Sequence, residues 1–131
     1  MTKYIVITIN AFLFSLAFST SLKAEDGNNL LDICTTAVRF MDDNTIDLNS
    51  QQMLGFGMCL GFLEGAVNGM AAGMSGEENK AFCMPTVGGS ISNGQKARIV
   101  VAYLKKNPAL LHEDRLALVA RAFMDAYPCS D

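Results

Sequence analysis

Apolar residues recur at helical spacing in three stretches of this chain and nearly fill a fourth. In the first they fall at Leu30, Ile33, Cys34, Ala37, Val38 and Met41, mostly three and four apart, and Leu31 and Phe40 widen the stripe. Residues 25–28 are polar and expected to fray, Asn28 or Asn29 is placed to cap this helix, and Asp42-Asp43-Asn44 ends it in a turn. A second helix is predicted from about Gln51 to Gly73, capped by Asn49 or Ser50. A third is predicted from about Asn93 to Lys106, with Ile99, Val100, Ala102, Tyr103 and Leu104 on its apolar face and Lys105 and Lys106 at its negative end. Asn107-Pro108 stops it and starts a short turn through Leu111. The last helix begins near His112-Glu113-Asp114, buries Leu116, Leu118, Val119, Ala122, Phe123 and Ala126, and closes at Pro128. No run alternates at the period of a strand. The fold expected is all-α, a compact bundle of four to five helices.

The second helix carries Gly57, Gly61, Gly65, Gly69 and Gly73, one glycine every four residues. Each interior glycine costs roughly 1 kcal/mol of helix propensity relative to alanine. Such a stripe needs a compensating gain, and close approach of another backbone supplies one, either from a helix of the same chain or from a sister chain. Gly57, Gly61, Gly65 and Gly69 are therefore candidates for a close-packed contact, expected mainly inside a small globule. Met53 to Met74 is also long enough to cross a bilayer. Glu64 in the middle of that span and acidic flanks at Asp47, Glu77 and Glu78 argue against a membrane-embedded mature protein. Residues 74–93 form the longest irregular stretch, and Cys83 pins its middle.

The N-terminus changes the compartment. Lys3 is followed by an uncharged, mostly apolar run from Tyr4 to Phe18, then by small and polar residues up to Ala24. This is the pattern of a secretory signal peptide, 1–24, with cleavage after Ala24 and Leu22 at the −3 position. The apolar run is shorter than the ~20 residues a membrane anchor needs. Residues 25–131 then form one domain. Removing Lys3 and Lys23 leaves eight basic against thirteen acidic residues, a net charge of −5. That balance provides no footprint for nucleic acid and favours basic partners. In an exported chain Cys34, Cys59, Cys83 and Cys129 imply two disulfides. Of the three pairings, Cys34–Cys59 with Cys83–Cys129 is favoured: the first joins neighbouring helices and the second ties the C-terminal end to the middle loop. Each would contribute about 3–4 kcal/mol by loop-closure entropy.

Catalytic chemistry finds little purchase. His112 is the single histidine, and Asp114 two positions on would not face it on a helix. The cysteines are committed to disulfides, their spacing contains no C-x-x-C pair, and no nucleophile elbow, zinc motif, phosphate loop, calcium loop or haem signature is present. No cofactor or metal is expected, and the protein is expected not to be an enzyme.

The mature chain can also be read as one ordered set of short motifs. Leu30-Leu31 with Cys34 come first, then Cys59-Leu60-Gly61-Phe62 with Gly65, then Phe82-Cys83-Met84-Pro85 and Gln95. Ile99-Val100-Val101-Ala102-Tyr103-Leu104, Asn107-Pro108-Ala109-Leu110-Leu111-His112, Ala122-Phe123 and Tyr127-Pro128-Cys129 complete it. This set, from Leu30 to Cys129, resembles the Tai-type immunity family, the periplasmic antidotes to type VI secretion amidase effectors. The resemblance implies an α-helical periplasmic protein, commonly a homodimer, that plugs the active-site groove of a peptidoglycan amidase and performs no chemistry itself.

The resemblance does not supply the recognising loop. Physical reasoning selects Ser75, Gly76, Glu77, Glu78 and Asn79, a polar, acidic stretch flanked by a disulfide anchor and suited to a catalytic histidine or a basic rim. The alternative from another class is a small periplasmic helical chaperone or stress protein, which has the same overall make-up and would expose apolar surface in acid.

Overall fold

The computed structural model describes residues 25–73, 82–85 and 91–129. The predicted signal peptide, 1–24, and the predicted effector loop, Ser75 to Asn79, lie outside the described residues. Four helices, α1 (Gly27–Asp42), α2 (Ser50–Gly73), α3 (Asn93–Lys106) and α4 (Arg115–Ala126), with a 3₁₀ turn at Pro108–Leu110, make an all-α bundle with no strand among the described residues.

α1 starts one or two residues before the predicted caps. Asp26 is its N-cap, and its side chain accepts from the Asn28 and Asn29 backbone amides. Residues 25–28 are not frayed, because they are tied to the other end of the chain. The Gly27 amide donates to Glu113 O at 3.2 Å, the Asn28 amide donates to Leu111 O at 3.1 Å, and Glu25 pairs with Arg115. Gly27 is required here by close approach: a Cβ would overlap Leu118 Cδ1 and stand 3.0 Å from Leu111 O. α1 ends at an aspartate turn, where Asp43 Oδ1 accepts from both the amide and the hydroxyl of Thr45. Those bonds hold the Asp43 carboxyl below its ordinary value.

α2 opens on a reciprocal cap. The Gln52 amide donates to Asn49 Oδ1 at 2.9 Å, and the Asn49 amide donates to Gln52 Oε1 at 3.0 Å. α3 spans the predicted residues, with Ser92 as its cap. Its buried face is rotated from the expected one. Ala97, Val100, Val101, Leu104 and Lys96 point inward, while Ala102 is exposed. α4 begins at Arg115, capped by Asp114. It buries Leu118, Val119, Ala122 and Phe123, and leaves Leu116 and Ala126, both expected in the core, exposed. The four buried positions already form a complete stripe three and four apart, and Leu116 falls off it.

All four helices share one core, in which Leu30, Leu63, Val67, Val100, Leu104, Leu118, Val119 and Phe123 are fully enclosed. Each such side chain contributes roughly 1.5–3 kcal/mol by leaving water. Disulfides join Cys34 to Cys59 and Cys83 to Cys129. The first is wholly buried between α1 and α2; the second is exposed.

The Gly27 contact makes a prediction about stability. Gly27→Ala should destabilise the domain by about 1–3 kcal/mol, the usual range for overpacking. Urea unfolding of the oxidised protein measures it, and an unchanged midpoint would remove this contact from the account of the fold.

Candidate functional site

α2 is apolar around most of its circumference, and only one narrow face is used by its own chain. Gly55, Cys59, Leu63, Ala66 and Val67 are buried. Gly55 lies against α1, where a Cβ would stand 3.3 Å from Ile33 Cγ2. The glycines at 57, 61, 65, 69 and 73 turn the other way. No described atom lies within 4 Å of where their Cβ atoms would be. The expectation that this stripe is mainly buried within the globule is thereby corrected: the α1 disulfide sits on a different face of the helix, at Cys59, and rotates the glycines outward.

The outward face is also uncharged. Glu64 is the single ionisable side chain in α2, and it turns toward α3. Met53, Leu54 and Met58 are among the exposed large apolar side chains, with Leu54 at 64%. α2 is long and apolar enough to cross a membrane by length and composition.

Glu64 and Lys96 fix the rotation of α2 against α3. The Lys96 side chain is 5% exposed, and its ammonium pairs with Glu64, which is 45% exposed. Asn93 Oδ1 accepts a second, longer bond from Lys96 at 3.4 Å, and Asn68 Nδ2 donates to Glu64 at 2.9 Å. Lys96 first, then Asn68, hold the Glu64 carboxyl below its ordinary value. Sequence reasoning noted Glu64 as a cost in a membrane span and missed its partner. The available signal was a lone charge in a long apolar helix, which demands an opposite charge from a neighbouring element.

The segment after the predicted effector loop is firmly held. Phe82 is buried with its ring centroid 5.6 Å from that of Phe123. The Cys83 amide donates to Tyr127 O at 2.9 Å, and Cys83 is bonded to Cys129. Gln95 Nε2 and the Tyr127 hydroxyl, 3.1 Å apart, join α3 to the same corner. Whatever Ser75 to Asn79 contact, the chain beyond them is anchored at three points, to Phe123 of α4 and to Tyr127 and Cys129 just after it.

Chemical groups suited to catalysis are not assembled among the described residues. His112 is exposed in the turn before α4. No group of three His, Cys, Asp or Glu residues is placed to hold a metal ion among the described residues. Arg115, whose guanidinium lies over the Phe62 ring at 4.2 Å from its centroid, is engaged by Glu25.

A family model described as Rap1a immunity proteins matches residues 26–129. No curated protein and no solved structure matches the chain. The match keeps the immunity class expected from the motifs; the family it names is the Rap1a immunity proteins, which is a type VI immunity family and not specifically that of the Tai amidase antidotes.

Two predictions follow from α2. Gly61→Ala and Gly65→Ala should each stabilise the isolated monomer by about 0.5–1 kcal/mol, because alanine is the better helix former and its methyl meets open space. A loss of stability at dilute protein concentration would show that the stripe is packed by this chain after all. The second concerns Glu64. A carboxyl lowered in the folded state stabilises above the ordinary glutamate range, and that contribution is lost as pH falls through the folded value. The stability gap between wild type and Glu64→Gln should be present at neutral pH and close below about pH 4. Thermal unfolding of both proteins across pH reads it.

Proposed function

We infer the function from one premise: the chain belongs to the Rap1a immunity protein family. We propose that it is a periplasmic immunity protein that binds a type VI secretion effector arriving from a neighbouring cell and blocks it without catalysis. The family match, over nearly the whole mature chain, is the observation that carries this reading. We further propose that the effector is a peptidoglycan amidase, that Ser75 to Asn79 enter its groove, and that 1–24 direct export and are removed.

Physical features of the chain support the scheme. Two disulfides suit an oxidising compartment. A net charge of −5 on the mature chain favours a basic cleft, and an anchored segment beyond the loop reduces the entropy lost on binding. The homodimer belongs to the same proposal. Two acidic copies repel, and the outward face of α2 is a long surface on which neither would bring a charge to the contact.

The test is purification of the tagged protein from the periplasm of its host with secretion active, followed by assay of any stoichiometric partner on peptidoglycan. An amidase inhibited at a one-to-one ratio is the expected result. Replacing Glu77 and Glu78 together by alanine should weaken its binding by about tenfold. A partner with another activity would overturn the amidase assignment. Recovery of the protein alone, with effectors present, would overturn the immunity reading and favour the chaperone.

A further inference from the structure

The groove between α1 and the N-terminal half of α2 is unclaimed by anything above. Its cavity volume is about 280 Å³. That is at or just under the roughly 300–1,000 Å³ of small-molecule sites, and it suits one long side chain better than a cofactor. Ile33 and Gly55 form its floor, and Leu54 and Met58 one wall. Asn29, Asp32 and Thr36 of α1 stand opposite.

Charge on this groove is one-sided. Asp32 is the only ionisable group among the lining residues. It is exposed and enters none of the ion pairs among the described residues, whereas Glu25, Asp42, Glu64 and Glu113 each have a basic partner. Elsewhere on α1 the carboxylates are in use: Asp26 caps the helix and Asp42 pairs with Arg98. An apolar floor and wall beside a single unpaired carboxylate complement a side chain with an apolar stem and a cationic head. The guanidinium is the better match, since its planar fork can engage a carboxylate bidentately and still donate to Asn29 or Thr36. Three of the five exposed large apolar side chains among the described residues, Met53, Leu54 and Met58, cluster at this end of α2, so the groove continues into apolar surface that a protein partner would cover.

We propose that this groove is a docking site for an arginine side chain, with lysine as the weaker substitute, projecting from the effector protein that the chain neutralises. It rests on the immunity reading for the identity of the partner and on the groove alone for its chemistry. The contact is distinct from the one assigned to Ser75 to Asn79. It would act as an anchor away from the effector's blocked cleft, in the manner of a buried interface residue surrounded by near-neutral contacts.

The first measurement uses small probes on the oxidised mature protein. N-acetyl-arginine methylamide is titrated at millimolar concentration while backbone amides are followed by nuclear magnetic resonance, with the uncharged citrulline analogue as the control of equal shape. The expected result is saturable shifts confined to residues 29–36 and 51–58, with citrulline weaker by about fivefold. Asp32→Asn should erase that difference. Absence of shifts, equal shifts from citrulline, or shifts elsewhere would overturn the proposal. Shifts of the 29–36 amides on raising the protein concentration alone, on the α1 side of the groove and away from the outward face of α2, would assign the groove to a second copy, and would overturn it too.

The second measurement uses the effector recovered by the purification described above. Asp32→Asn combined with Leu54→Ser alters two exposed residues, so folding is preserved and is checked by the thermal midpoint. Effector affinity should fall by about tenfold or more. Leu116→Ser, another exposed apolar residue on α4, should leave affinity unchanged. Tight binding with no loss in the double variant would sink the groove and leave the immunity reading standing. If the wild type binds no effector the immunity reading falls, and the probe titration still decides the groove.

Discussion

The covalent clamp between α1 and α2 is the constraint on which the rest of this structure depends. α2 carries apolar residues around most of its surface, so hydrophobic burial alone does not choose which face goes inward. Cys34 and Cys59 are both fully buried, with Cα atoms 5.2 Å apart, and they commit the helix to one rotation. Gly55 one turn earlier lets the backbones come close, and Glu64 beyond the disulfide engages the buried Lys96 of α3. These three contacts together fix α2 on two neighbours. The glycine stripe and the Leu54–Met58 end face outward as a consequence.

This explains which parts of the architecture were legible in the sequence. α1 and α3 are amphipathic and bounded by turn residues, so periodicity located them, and α3 runs over the expected Asn93 to Lys106. The reading of α2 failed in orientation, though its extent was right. A glycine stripe signals a close contact without saying whose backbone makes it, and an all-round apolar helix has no polar face to reveal the outside. Leu116 and Ala126 were assigned to the core for the same reason: hydrophobicity was counted where stripe geometry decides. The ordering of residues 25–28 and the place of Gly27 beneath Leu118 depend on contacts with residues more than eighty positions away, which local patterning does not contain.

The candidate surfaces divide in the same way. Cysteine spacing and export pattern were enough to frame a crosslinked, partner-binding domain, and the family match agrees with that class. The groove beside Asp32 was not legible. It is formed by two helices whose facing residues, Asn29 to Thr36 and Asn49 to Met58, are ordinary helix-surface residues taken one at a time. Only the fixed crossing of α1 and α2 turns them into a concavity with a floor and a charged lip.

Rigidity connects this architecture to inhibition. An antidote must hold its partner through a long residence time, and affinity lost to ordering loops or side chains is lost directly from that hold. Here the costs are met during folding. α1 and α2 are locked by Cys34–Cys59, the corner at Phe82, Cys83 and Tyr127 is locked by the second disulfide and a backbone bond, and the start of α1 is stitched to the turn before α4. A small domain with one core has little hydrophobic surplus to spend on such order, and in an oxidising compartment disulfides supply it without adding residues. The uncharged outer face of α2 can then stay apolar and glycine-rich, because the clamp on its inner face, and not amphipathicity, keeps the helix in place.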